Sequence, residues 1–194
     1  MKELDRIRRD IEADPDNAWA VEAGFAPLYV AHPDARCLII GQAPGIKAQQ
    51  SGIPWNDASG VRLIEWLGVD EAIFRDPAAF AILPMDFYYP GKAATGDLPP
   101  RPGFAPTWHP RLIQEMPHIS LTLIIGSYAQ QHYLGGKTTL TERVRSFRDY
   151  LPERFPLVHP SPLNFRWQAR NPWFATDVLP ELRRRVAEAI GPRP

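Results

Sequence analysis

A chain of 194 residues is long enough to bury one full core, and its 22 Lys/Arg against 22 Asp/Glu exclude a partner chosen by net charge alone. One cysteine, Cys37, excludes an intrachain disulfide and any cysteine-ligated zinc or iron–sulfur site. No apolar run reaches the length of a membrane span and the charged start MKELDRIRRDIEADP is no signal peptide, so a single soluble, cytoplasmic domain over residues 1–194 is expected.

Leu4, Ile7 and Ile11 recur at helical spacing until Pro15, which predicts a short amphipathic opening helix. RCLIIG, Arg36–Gly41, is the first of four short apolar runs and leads into GQAPGIKAQQSGIPWNDASG. A helical pattern, DASGVRLIEWLG, follows. AFAILP, Ala79–Pro84, is the second run and opens into PMDFYYPG. The helical pattern HPRLIQEM precedes the third run, LTLIIG at Leu121–Gly126, which meets GSYAQ. SYAQQHYL and TLTERVRSFRDYL read as helices before the fourth run, FPLVHP at Phe155–Pro160, and its loop HPSPLNF. The last helix, NPWFATDVLPELRRRVAEAI, has Pro172 near its first turn and should bend at Pro180. The four runs are continuously apolar, which suits strands buried on both faces. Strands alternating with helices predict a three-layer α/β/α sandwich with a central four-stranded parallel sheet. Ligands in such sheets bind at the C-terminal strand ends, where each run here meets an unusual loop.

Within the first loop, Gly41 and Gly45 permit a tight turn that Pro44 stiffens, aiming backbone N–H groups at a carbonyl oxygen or an anion. The Walker lysine and the GxGxxG spacing are missing, which speaks against a nucleoside-triphosphate site. Trp55 either closes a core edge or stacks on a planar ligand, and Asp57 either caps a helix or serves the site. In HPSPLNF the prolines forbid a regular helix or central strand, leaving a stiff loop with His159 at its mouth and Leu163 and Phe165 beyond. Those two apolar side chains either tuck into the body or stand out to meet a partner. Lys137–Arg185 holds ten Lys/Arg against five Asp/Glu, so the C-terminal third is basic, as one nucleic-acid-facing side would be. His32, His109, His118 and His132 read as structural, although PTWHP around His109 is unusual.

Two motifs resemble the uracil-DNA glycosylase superfamily. GQAPG, Gly41–Gly45, blends the strand-end forms Gly-Gln-Asp-Pro and Gly-Glu-Ala-Pro-Gly, and Gly52-Ile53-Pro54-Trp55 stands where the iron–sulfur branch has Gly-Arg-Pro-Phe. HPSPL, His159–Leu163, matches the His-Pro-Ser-Pro-Leu loop, and RNP, Arg170–Pro172, is similar to a segment of the iron–sulfur branch. The resemblance implies a monofunctional DNA glycosylase acting on uracil, or a related deaminated base, in DNA. It implies no cofactor or metal, a monomer, and base extrusion before the bond is cut. By position, Trp55 would stack on the extruded base and Gly41, Gln42 and Ala43 would line its pocket. His159 would donate to uracil O2 as charge develops there, and Gln42 would contact O2 or the attacking water. Leu163 would fill the gap in the duplex, while Ser161, Arg166 and Arg170 would meet the backbone. The pattern is broken twice. Ala43 replaces the aspartate or asparagine of the first motif, with Asp57 as a candidate substitute. No asparagine follows the second strand, which leaves Asp86 and the backbone of Met85–Phe87 to read the base edge. A non-catalytic nucleic-acid-binding protein and a hydrolase of free nucleosides are the alternatives.

Overall fold

The computed structural model describes residues 2–191. Four strands, β1 Cys37–Ile40, β2 Phe80–Ile82, β3 Leu121–Ile125 and β4 Arg154–Leu157, form one parallel sheet in the order β2-β1-β3-β4. The chain leaves β1 for a neighbour on one side and later returns to its other side. Such a reversal opens a crevice at the C-terminal end of the central strand.

Ten α-helices accompany the sheet among the described residues: α1 Lys2–Ala13, α2 Ala18–Glu22, α3 Ile46–Ser51, α4 Ala58–Leu67, α5 Glu71–Arg75, α6 Phe104–Gln114, α7 Ser127–Leu134, α8 Leu140–Arg145, α9 Phe165–Arg170 and α10 Leu179–Ile190. Alternate residues of β1 point to opposite layers, as the strand pleat requires. Cys37 and Ile39 join a cluster with Leu63 and Trp66 of α4, Val144 of α8 and Leu182 of α10. Leu38 and Ile40 join another with Leu4, Ile7 and Ile11 of α1 and Trp108 and Leu112 of α6. Both faces are therefore covered, and the architecture is the α/β/α sandwich that the apolar runs predict. The free edge of β2 is met by the N-terminal segment, since Val30 and Ile82 exchange backbone hydrogen bonds of 2.8 and 2.9 Å. No helix among the described residues is long and apolar enough to cross a membrane.

Two of the helices that differ from expectation do so because of proline. α6 begins at Phe104, well before the predicted HPRLIQEM. Pro106 falls in its first turn, where an N–H would have no helical partner, so only Pro110 costs a bond. The long C-terminal helix changes its winding just before Pro180. Phe174–Val178 forms a π-helical turn and α10 starts afresh, with Pro180 in its first turn. The widened turn removes the clash that a proline ring makes with the carbonyl four residues earlier.

Candidate active site

The crevice above β1 is a cleft of about 320 Å³, walled by the loops that follow β1, β2 and β4. Its first wall begins with Gly41–Gly45. This loop is zipped to the one after β2, because Met85 N–H donates to Gly41 O at 2.9 Å and Asp86 N–H to Gln42 O at 3.2 Å. Gly41, Gln42 and Ala43 all face the cleft. So the expected motif is in place, and the side chain at its polar position is a methyl group.

Trp55 reaches the cleft from a backbone with φ 58°, a left-handed conformation that few non-glycine residues adopt. Two glycines make room for it. A Cβ on Gly60 would stand 1.7 Å from the Trp55 carbonyl oxygen, and one on Gly41 would stand 3.1 Å from Cζ2 of the indole. The ring also packs against the core cluster under α4, so Trp55 both closes a core edge and forms a wall of the cleft. Its centroid lies 5.5 Å from that of His159, with planes tilted by 33°.

Asp57 is a helix cap that also borders the cleft. It caps α4 by accepting the Gly60 N–H on Oδ1 at 2.9 Å. Its Oδ2 lies 4.0 Å from where a Cβ on Gly45 would stand, on the side of the strand-end loop. The cap fixes this carboxylate without using its second oxygen.

His159 follows β4 and is half-buried in the opposite wall. The Ser161 N–H donates to its Nδ1 at 3.1 Å. In the neutral ring the proton is then on Nε2, because a neutral imidazole has one donor and one acceptor nitrogen. Burial pushes the imidazole below its ordinary pKa, against a smaller opposing pull from Asp57. Asn164 Nδ2–H donates to the His159 carbonyl at 2.8 Å and Ser161 Oγ accepts from Leu163 N–H at 3.2 Å, which stiffens the turn. Ser161 lines the cleft, whereas Leu163 and Phe165 stand out of it at 84% and 59% exposure. Neither apolar side chain tucks into the body. Arg166 and Arg170 lie exposed on α9, outside the cleft, and the Arg166 guanidinium is 5.6 Å from the Phe165 ring centroid.

Asp86 requires a correction. It is 1% exposed and lies outside the cleft lining. Arg101 grips both carboxylate oxygens, Nε to Oδ2 at 2.7 Å and Nη2 to Oδ1 at 2.8 Å, and the N–H groups of Tyr88 and Arg101 add further bonds. The same guanidinium donates to Asn17 Oδ1 at 2.8 Å, tying the loop after β2 to the N-terminal segment. A carboxylate so fully used has no lone pair to offer a base. Part of the nearby backbone is used as well, since the Met85 and Asp86 N–H groups zip the loops together and Phe87 O accepts from Leu28 N–H at 2.8 Å. GSYAQ is also displaced from its expected role, because it begins α7 and does not wall the cleft.

Leu28, Ser59 and Asp97 line the cleft without having been expected there. Asp97 stands on a small hairpin after β2, in which Leu98 N–H donates to Gly91 O at 2.9 Å and Lys92 bridges Asp97. The glycines at 91 and 96, both at positive φ, were the sequence signal for that turn. Behind the cleft wall, His109 is buried and structural. Its ring joins Pro84 O, 2.9 Å from Nε2, to the Tyr133 hydroxyl, 2.5 Å from Nδ1, and burial lowers its pKa to about 4. Among the described residues no three His, Cys, Asp or Glu side chains converge as metal ligands would.

A glycine-proline loop, an indole and a stiffened histidine loop thus meet at the C-terminal end of one parallel sheet. The family model described as the uracil DNA glycosylase superfamily matches residues 28–183, which span all four strands and every wall of the cleft. The chain belongs to the uracil-DNA glycosylase superfamily.

Proposed function

We propose that this protein is a monofunctional glycosylase that extrudes uracil, or a related deaminated base, from DNA and hydrolyses its N-glycosidic bond. The observation that carries the reading is the state of His159: a neutral imidazole whose Nδ1 is occupied by the Ser161 N–H and whose Nε2–H is left to donate. When the bond between the sugar C1′ and the base nitrogen breaks, its electron pair goes to the base, and negative charge collects on the ring oxygens. A fixed donor at that oxygen gains strength as the charge appears, which lowers the barrier more than it tightens the ground state. Water then adds its oxygen to C1′ and passes a proton to Asp57, whose Oδ2 is free of the cap. Trp55 stacks on the base, and Gln42, an amide with both donor and acceptor groups, reads one of its edges. Leu163, exposed at the mouth, enters the duplex as the base leaves it, a feature that a hydrolase of free nucleosides would not need.

One observation favours a second reading. The methyl group of Ala43 lines the cleft where the family's motif carries a polar side chain, which suits a protein that binds an extruded base without cutting it. The deciding experiment incubates the protein with a uracil-containing oligonucleotide and scores alkali-labile abasic sites. Cleavage supports the glycosylase, whereas binding to uracil DNA without any abasic product makes the protein a binder.

A further inference from the structure

One cation at the cleft edge has no part in the reaction just described. Arg62, on α4, is half-buried and projects beside the Ser161 turn, where its Nη1 donates to the Ser161 carbonyl at 3.4 Å. A guanidinium has five N–H donors. The others make no hydrogen bond or ion pair to protein among the described residues, unlike those of Arg75, Arg101 and Arg111, each of which faces a carboxylate. Ser161 supplies the second observation. Its N–H is given to His159, its Oγ accepts from Leu163 and its carbonyl accepts from Asn164 N–H as well as Arg62. The hydroxyl hydrogen is the one donor of Ser161 without a protein partner among the described residues. A free hydroxyl donor on the turn and a guanidinium with free N–H groups reaching it from α4 therefore stand side by side, next to the exposed Leu163.

We propose that Arg62 binds a phosphodiester of the DNA strand that enters the cleft, sharing its guanidinium between that phosphate and the Ser161 carbonyl. The inference rests on the glycosylase reading and adds a contact to it. A planar guanidinium suits this place because its fork can serve a phosphate oxygen and a carbonyl at once. The contact also joins strand binding to the chemistry. The turn that Arg62 holds is the turn whose N–H sets the His159 tautomer.

The test is equilibrium binding of uracil-containing duplex across a salt series, with wild type, Arg62→Gln, Arg62→Met and Arg62→Lys. Each phosphate contact adds about 0.9 to the slope of log affinity against log salt. Arg62→Gln and Arg62→Met should therefore bind about three- to tenfold more weakly at low salt, with a slope shallower by about one. Arg62→Lys keeps the charge and should keep the slope. An unchanged slope in both neutral variants overturns the inference, even if they melt earlier or excise more slowly, because Arg62 is then a strut for Ser161. If wild type excises uracil and the slope is unchanged, this inference alone falls. If wild type does not bind DNA at all, the glycosylase reading falls with it.

Discussion

An isolated imidazole exchanges its proton between two nitrogens, and at His159 the fold removes that freedom. The Ser161 N–H occupies Nδ1 and burial disfavours the imidazolium. His159→Ala should therefore fold, retain binding to uracil DNA and lose about 10²–10³ in single-turnover excision, the usual cost of one donor to a developing anion. Because the folded pKa lies below the ordinary value of about 6.5, the working neutral form persists at all higher pH. Wild-type excision should then hold its rate from pH 7 upward, and a rate that falls as pH rises through 7 would oppose this assignment. The cleft positions of His159 and the Gly41–Gly45 loop were legible in the sequence because both directly follow apolar runs, and that of Trp55 through the likeness of Gly52–Trp55 to a family segment. Asp86 was misread for an equally physical reason. A carboxylate after a strand announces nothing about an arginine 15 residues later that folds back to claim both its oxygens.

The four strands were legible because doubly buried strands leave unbroken apolar runs, whereas their order and register depend on pairing between runs far apart in the chain and were not. Helix boundaries were less legible than the strands. A proline marks a possible stop, yet Pro106 and Pro180 both stand in first turns, where a proline costs nothing. The loop after β4 was read as an ordered irregular segment, and the short 3₁₀ turn Pro162–Asn164 gives it that order. Its tip presents Leu163 at 84% exposure on a turn whose bonds are already made. Leu163→Ala should lower excision from a U·A pair more than from a U·G mismatch or single strand, where extrusion costs less. Equal losses on the three substrates, measured as single-turnover rates, would remove Leu163 from extrusion.

The whole molecule carries a buried titration. The pKa of His109 falls from 6.5 to about 4 on folding, with desolvation as the main cause. Between those values the unfolded chain binds a proton that the folded chain refuses, so stability is complete above pH 6.5 and drains as pH falls toward 4. The loss is on the order of 3 kcal/mol. Urea unfolding at pH 7 and pH 5 should show about 2 kcal/mol of it, and His109→Gln, although less stable at pH 7, should show a flatter dependence across that window. A wild-type stability that does not change between the two would contradict it. The covering of the sheet by α1 has a practical side. The family match begins at residue 28, and trimming the chain to that segment would seem a safe economy. It would strip away Leu4, Ile7 and Ile11, which are at most 8% exposed against the core beside α6, and Asn17, which holds Arg101. The truncated protein should expose a greasy layer on one side of the sheet and loosen the loop that walls the cleft. Failure to recover it in soluble form would then say nothing about its activity, and the first 27 residues belong in every preparation used to measure one.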